Sequence, residues 1–204
     1  MFLSMVRVTQ RSISHYWSWC VFAVAGAFLV NALYLPTKAV VAQHLLAHAW
    51  QQTLKTGKQH RPWPWADAKT LAKIDFPAHN IQHIVLSGST GPTLAFAPGH
   101  LHGSRLPNES GHMVLSGHRD THFAVLEHVN VGESIDVYTQ HGDVKTYQVT
   151  SRQIIDSSEQ ALYLWHDEDV LTLITCYPFD ALHSGGALRL RIDASLLSRQ
   201  NDEK

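Results

Sequence analysis

A chain of 204 residues, part of it apolar enough to be spent on an anchor, has room for one domain with a real core and not for a two-domain enzyme. Lys and Arg total 16 against 17 for Asp and Glu, and a formal charge of −1 supplies neither the basic field that grips nucleic acid nor an acidic tail. The 15 histidines are scattered, and none falls in the spaced Cys/His or HExxH pattern of a zinc site, so they read mostly as surface and packing residues. No cofactor or metal ion is expected.

From Ser12 to Thr37 the chain carries no Lys, Arg, Asp or Glu, and Cys20 to Leu35 is apolar but for Asn31. With Ile13 to Trp19 it reaches the roughly 20 residues of a spanning helix. Tyr16, Trp17 and Trp19 at one end and Tyr34 at the other suit the two membrane interfaces, and Arg7 and Arg11 ahead of the run predict a cytoplasmic N-terminus. A cleavable signal peptide is the competing reading, since Val40-Val41-Ala42 would serve as a cleavage site. A buried core helix is a third, weakened by the aromatic flanks. Either of the first two places the remainder of the chain outside the cytoplasmic membrane.

Ala39 to Lys55 keeps apolar residues near helical spacing at Val40, Val41, Leu45, Leu46, Ala49 and Leu54, which predicts an amphipathic helix ending near Gly57. Pro62-Trp63-Pro64-Trp65 cannot continue it and predicts an extended run with packed rings. Short β runs come next, at His83 to Leu86, Thr93 to Phe96, Met113 to Ser116, Ser134 to Thr139, Val144 to Arg152, Val170 to Cys176 and Leu188 to Ile192. Gln140-His141-Gly142-Asp143 predicts a hairpin loop, Thr121 to His128 a short helix, and Ser158 to Leu164 another turn. Seven or eight strands with little helix make the fold mainly β, a closed or nearly closed barrel. The expected organisation is an N-terminus and anchor over 1–38, an amphipathic helix and linker over 39–66, one catalytic domain over 67–198 and a polar tail over 199–204.

Cys20 and Cys176 would lie at different depths relative to a membrane, so they cannot pair, and an exported domain would carry one unpaired thiol into an oxidising compartment. Thr172-Leu173-Ile174-Thr175-Cys176 is a β run ending in that thiol, and Tyr177-Pro178 turns the chain out of the strand, placing Cys176 at a rim. Ser116-Gly117-His118-Arg119-Asp120 sets an imidazole just after another strand, and a thiol needs such a neighbour to become a thiolate. Arg189 and Arg191 alternate with Leu188, Leu190 and Ile192, so one strand face carries both guanidiniums, and either could hold an oxyanion. Each feature alone has a plainer reading: a small buried hydrophobe, a solvated histidine, a wet strand face.

Taken together these residues resemble the sortase family, marked by a strand-borne His, a TLxTC motif and an Arg on the next strand. TLITC at 172–176 agrees with the motif at every fixed position, SGHRD at 116–120 resembles the segment around the family's His, and Arg189 follows Cys176 by 13 residues. More narrowly, the runs RPWPWAD at 61–67, GHRDTHF at 117–123 and TCYPFDAL at 175–182 are similar to the class GN sortases of proteobacteria, of the marine type, in which a sortase serves a dedicated membrane-bound target. The resemblance covers about residues 80 to 195. It implies an eight-stranded sortase barrel behind a transmembrane helix, and an acyl transfer in which Cys176 attacks the carbonyl of a Thr-Gly-type bond in a C-terminal LPxTG-like sorting signal. His118 would protonate the leaving amine and Arg189 would hold the oxyanion, with Arg191 the alternative. Thr175, Arg191 and Asp120 are the expected substrate-binding residues, Asp120 either orienting His118 or capping the helix after it. The implied partners are the sorting signal of an exported protein, an amine acceptor such as a cell-wall precursor, and the cytoplasmic membrane. No carboxylate cluster here obliges the calcium some sortases use. An exported peptidase that only hydrolyses, or a membrane-tethered scaffold with an inert thiol, would leave much of the same sequence.

Overall fold

The computed structural model describes residues 3–164, 168–181 and 185–200. It divides into two compact units, 1–42 and 43–204.

The first unit is helical and belongs to α1 (Leu3–Thr56), which carries Pro36 inside it. The stretch from Trp17 is long and apolar enough to cross a membrane, and Trp17, Phe22, Phe28 and Val30 all lie exposed on it.

The second unit opens with the C-terminal turns of α1. Leu46, Ala49, Trp50 and Thr53 recur at helical spacing and are buried, while Val40, Val41 and Leu45 of the predicted apolar face are exposed. Leu46 packs with Ala68, Leu86 and Ala97, and the Thr53 and Thr70 hydroxyls lie 2.6 Å apart. The helix stops at Gly57, whose φ of 65° is the left-handed turn that glycine takes without strain.

Eight strands complete this unit: β1 (Thr70–Phe76), β2 (Ile81–Ser87), β3 (Gly99–His100), β4 (Met113–Ser116), β5 (Ser134–Tyr138), β6 (Val144–Asp156), β7 (Val170–Cys176) and β8 (Leu188–Gln200). They close into a barrel in the order β1-β2-β3-β4-β7-β8-β6-β5, so no sheet edge is left unpaired. The β2/β3 and β4/β7 pairs are parallel, and the others are antiparallel. Alternation fills the interior. Ile135 and Val137 of β5, Tyr147 and Val149 of β6, Leu171 and Leu173 of β7, and Leu190 and Ile192 of β8 join one buried cluster with Phe123 and Leu126.

Several local expectations give way to longer-range pairing. Thr93 to Phe96 is not a strand: Gly91-Pro92 starts the short helix α2 (Gly91–Leu94), where the fixed φ of proline suits a first turn. The Pro62 to Trp65 run is a bend and turn closed by Ala66 N–H donating to the Trp63 carbonyl at 3.0 Å. Trp63 packs edge-on against Phe96, whereas Trp65 is 80% exposed. The predicted helix at Thr121 to His128 shortens to a 3-10 turn (Ala124–Glu127) with Phe123 at its N-cap and no side-chain capping bond, so Asp120 does not cap it. The turn expected at Ser158 to Leu164 shrinks to residues 157–159. Strand β8 runs on to Gln200, two residues into the expected tail, and residues 201–204 lie outside the described residues.

Candidate active site

Two parallel neighbours build the site. Ser116, the last residue of β4, is the register partner of Ile174, two residues before the end of β7. Because the strands run the same way, His118 and Cys176, each two residues further on, leave the barrel at the same rim. The ladder is extended by Gly117 N–H to the Ile174 carbonyl at 3.2 Å, and the Thr175 hydroxyl donates to the Gly117 carbonyl at 2.8 Å. Gly117 has no room for a side chain, since a Cβ there would lie 2.7 Å from the Phe123 ring. That close approach seats the turn carrying His118 on the core.

In β7, Leu171, Leu173 and Thr175 point into the barrel, and alternation sends Ile174 and Cys176 to the opposite face. Thr175 is 2% exposed with its hydroxyl committed to Gly117, so it braces the site from behind instead of lining it. Cys176 is half-buried with a free thiol, and His118 is exposed.

The antiparallel β7/β8 register separates the two arginines. Arg189 is the direct partner of Cys176, and Arg191 that of Ile174, two pairs further from the rim. Arg191 is also engaged: its Nε donates to Asp193 Oδ1 at 2.8 Å, and the same oxygen accepts from Thr172 Oγ1 at 2.6 Å. Ser151 on β6 donates to the other oxygen at 3.1 Å, and His112 Nε2 lies 2.7 Å from Thr172 Oγ1. Thr172 gives its proton to Asp193, so His112 is the donor to Thr172, which assigns the Nε2–H form. Arg189 is held by main chain instead: its Nη1 donates to the carbonyl of Gly186 (2.6 Å), just before β8, and to that of Leu188 (2.8 Å), the first residue of β8.

Two further histidines, absent from the expected site, lie against it. Alternation in β2 puts His83 on the face of Val85, and its ring meets that of His122 edge-on at 5.3 Å. Burial, and then the neighbouring charge of His122, pushes the His83 pKa down to about 4. Burial, and then the charge of His118, lowers His122 as well. His122 stands in the GHRDTHF run at 117–123; His83 reaches it only through the barrel closure. Asp120 is exposed in the turn that joins His118 to His122.

The rim of this closed eight-stranded barrel thus carries a thiol and a guanidinium as cross-strand partners, and an imidazole just past the end of the parallel neighbour strand. A family profile for the sortase domain matches residues 74–197, more than half of the chain, and the chain belongs to the sortase family. Sortase D of Bacillus subtilis is 32% identical over 107 residues, covering 52% of this chain and 54% of that protein, so the chain spans about half the length of the curated relative it matches. Among solved structures, sortase A of Corynebacterium diphtheriae superposes with a TM-score of 0.58 at 28% identity, over 68% of this chain and 66% of that one. Sortase C-1 of Actinomyces oris does so with 0.56 at 27%, over 62% and 73%.

Proposed function

We propose that this chain is a membrane-anchored cysteine transpeptidase of the class GN kind, and that it cleaves a C-terminal LPxTG-like sorting signal of a dedicated exported protein. The observation that carries the reading is the Cys176/Arg189 register pair beside the exit of His118 from the parallel strand β4. The Cys176 thiolate attacks the carbonyl carbon of the Thr-Gly-type bond, and the charge that develops on oxygen is met by Arg189. His118 delivers a proton to the leaving amine as the carbon–nitrogen bond breaks, which leaves a thioester on Sγ. An acceptor amine, such as that of a cell-wall precursor, then attacks the thioester, gives its proton to His118 and releases Cys176 as thiolate.

Asp193 supports Arg189 over Arg191 in this role, because its carboxylate already neutralises the second guanidinium. The apolar helix ahead of the barrel supports a single-pass inner-membrane anchor with the N-terminus cytoplasmic and the barrel periplasmic, and the domain limits proposed are 1–38, 39–66, 67–198 and 199–204. The test is to incubate the protein with a sorting peptide and a primary amine and weigh the products. Transfer yields the peptide's N-terminal fragment joined to the amine; free acid as the sole product would make the protein a hydrolase, and intact peptide would remove the reading.

A further inference from the structure

Arg119 takes no part in the acyl transfer, yet it follows His118 directly and does not turn to solvent. Its half-buried side chain crosses to the β7–β8 connection, where Nη2 donates to the Ala181 carbonyl at 2.8 Å. Ala181 lies five residues after Cys176. Two further ties between these segments among the described residues, from Gly117 to Ile174 and from Thr175 to Gly117, lie on the barrel side of the reacting residues. Arg119 ties the same segments beyond them. The thiol and the imidazole are therefore bracketed, with fixed bonds before and after each.

We propose that Arg119 is a positioning residue for the acyl transfer, holding the chain that leaves Cys176 against the turn that carries His118. The inference rests on the proposed transpeptidase function. A bond from a guanidinium to a carbonyl is charge-assisted and stronger than a neutral one, and the planar fork holds direction as well as distance. Proton transfer between His118 and the leaving or entering amine needs heavy atoms within about 3 Å, and a misplacement of about 1 Å can cost about a hundredfold in rate. The acceptor is a main-chain oxygen, so the contact depends on the path of the connection and not on the side chain at position 181.

The full-length protein in detergent, as wild type, Arg119→Ala and Arg119→Lys, is assayed for kcat and KM on the sorting peptide. Separately, alkylation of Cys176 by iodoacetamide is followed against pH, which needs no peptide. Arg119→Ala is expected to melt cooperatively, to lose about 10- to 100-fold in kcat with KM within about threefold, and to alkylate with a displaced pH midpoint. Arg119→Lys, which keeps a cationic donor, recovers most of both. An Arg119→Ala protein that folds and keeps the wild-type kcat and alkylation profile overturns the proposal, as does a loss confined to KM. If Arg119→Ala does not fold, Arg119→Gln, which retains a neutral donor, is judged by the same criteria. If the wild type cleaves no peptide, the transpeptidase function fails by itself, and the alkylation profiles still decide whether Arg119 positions the pair.

Discussion

Two arginines two residues apart on one strand are chemically alike, and what separates them is register and partners. Arg189 stands opposite Cys176, while Arg191 stands opposite Ile174 and is bound to Asp193. Cross-strand partners have Cβ atoms about 5 Å apart, and the next residue along the same face is about 6 to 7 Å further on, so one oxyanion is served well by only one guanidinium. Arg189→Ala should lower kcat/KM for a sorting peptide by about 10² to 10³, the usual effect of losing an oxyanion donor, and Arg191→Ala by less than about tenfold. Both purified variants would be compared at subsaturating peptide after circular dichroism shows them folded. A slower Arg191→Ala would move the oxyanion role two residues along β8. Part of this site was legible from the chain itself: TLITC marks the thiol, and the alternation of Arg189 and Arg191 with Leu188, Leu190 and Ile192 puts both guanidiniums on one strand face. The pairing of Cys176 with Arg189, and the burial of Thr175 behind the site, depend on how two distant strands align, which no local pattern encodes.

At the scale of elements, strands written as continuous apolar runs were readable and those made by closure were not. β4 and β7 begin and end where the apolar runs predict, because each is a continuous β-branched and aliphatic stretch ended by Gly or Pro. β3 is two residues long and exists because Gly99 pairs with Leu86 and Ser116 on either side; a Cβ on Gly99 would sit 2.2 Å from the Gly88 carbonyl oxygen. β1 hides its alternation, Ala72, Ile74 and Phe76 inward against Lys73 and Asp75 outward, behind a bulge after Thr70 that shifts the phase. The contact of β2 with the turn after β4 also has a pH signature. His83 is neutral in the fold down to about pH 4, whereas a histidine in the unfolded chain takes up its proton near 6.5. The unfolded state then binds more protons across that window, so the stabilisation is complete above about 6.5 and is lost as pH falls toward 4. His122, lowered in the same direction, adds to the effect. Melting temperature should therefore drop between about pH 7 and about pH 4.5, and His83→Phe, which keeps a ring against His122, should flatten that drop. An equal slope in the two proteins would remove His83 as its source.

For the molecule as a whole, an apolar helix precedes a barrel in the chain, and the proposed chemistry needs a reduced thiol on that barrel. The proposed orientation, with the N-terminus in the cytoplasm, rests on Arg7 and Arg11 ahead of the uncharged stretch. Alkaline phosphatase fused after Lys204 should be active in cells, since that enzyme matures only outside the cytoplasm; a silent fusion, with a cytoplasmic reporter active in its place, would reverse the orientation. The long apolar helix and the barrel were both foreseeable, because long apolar runs and period-two alternation are local properties of a chain. The strand order was not, because the parallel β4/β7 contact joins distant segments, as Gly117 and Thr175 do at a separation of 58. That contact sets the exits of His118 and Cys176 at the same rim, and the central claim is that Cys176 becomes acylated there. Intact-mass spectrometry of the full-length protein, quenched in acid within seconds of mixing with a sorting peptide, reads this directly. Wild type should gain the mass of the peptide's N-terminal fragment in a form released by hydroxylamine, and Cys176→Ala should gain nothing and cleave nothing. Cleavage that persists in Cys176→Ala, or an adduct that maps to any other residue, would contradict it.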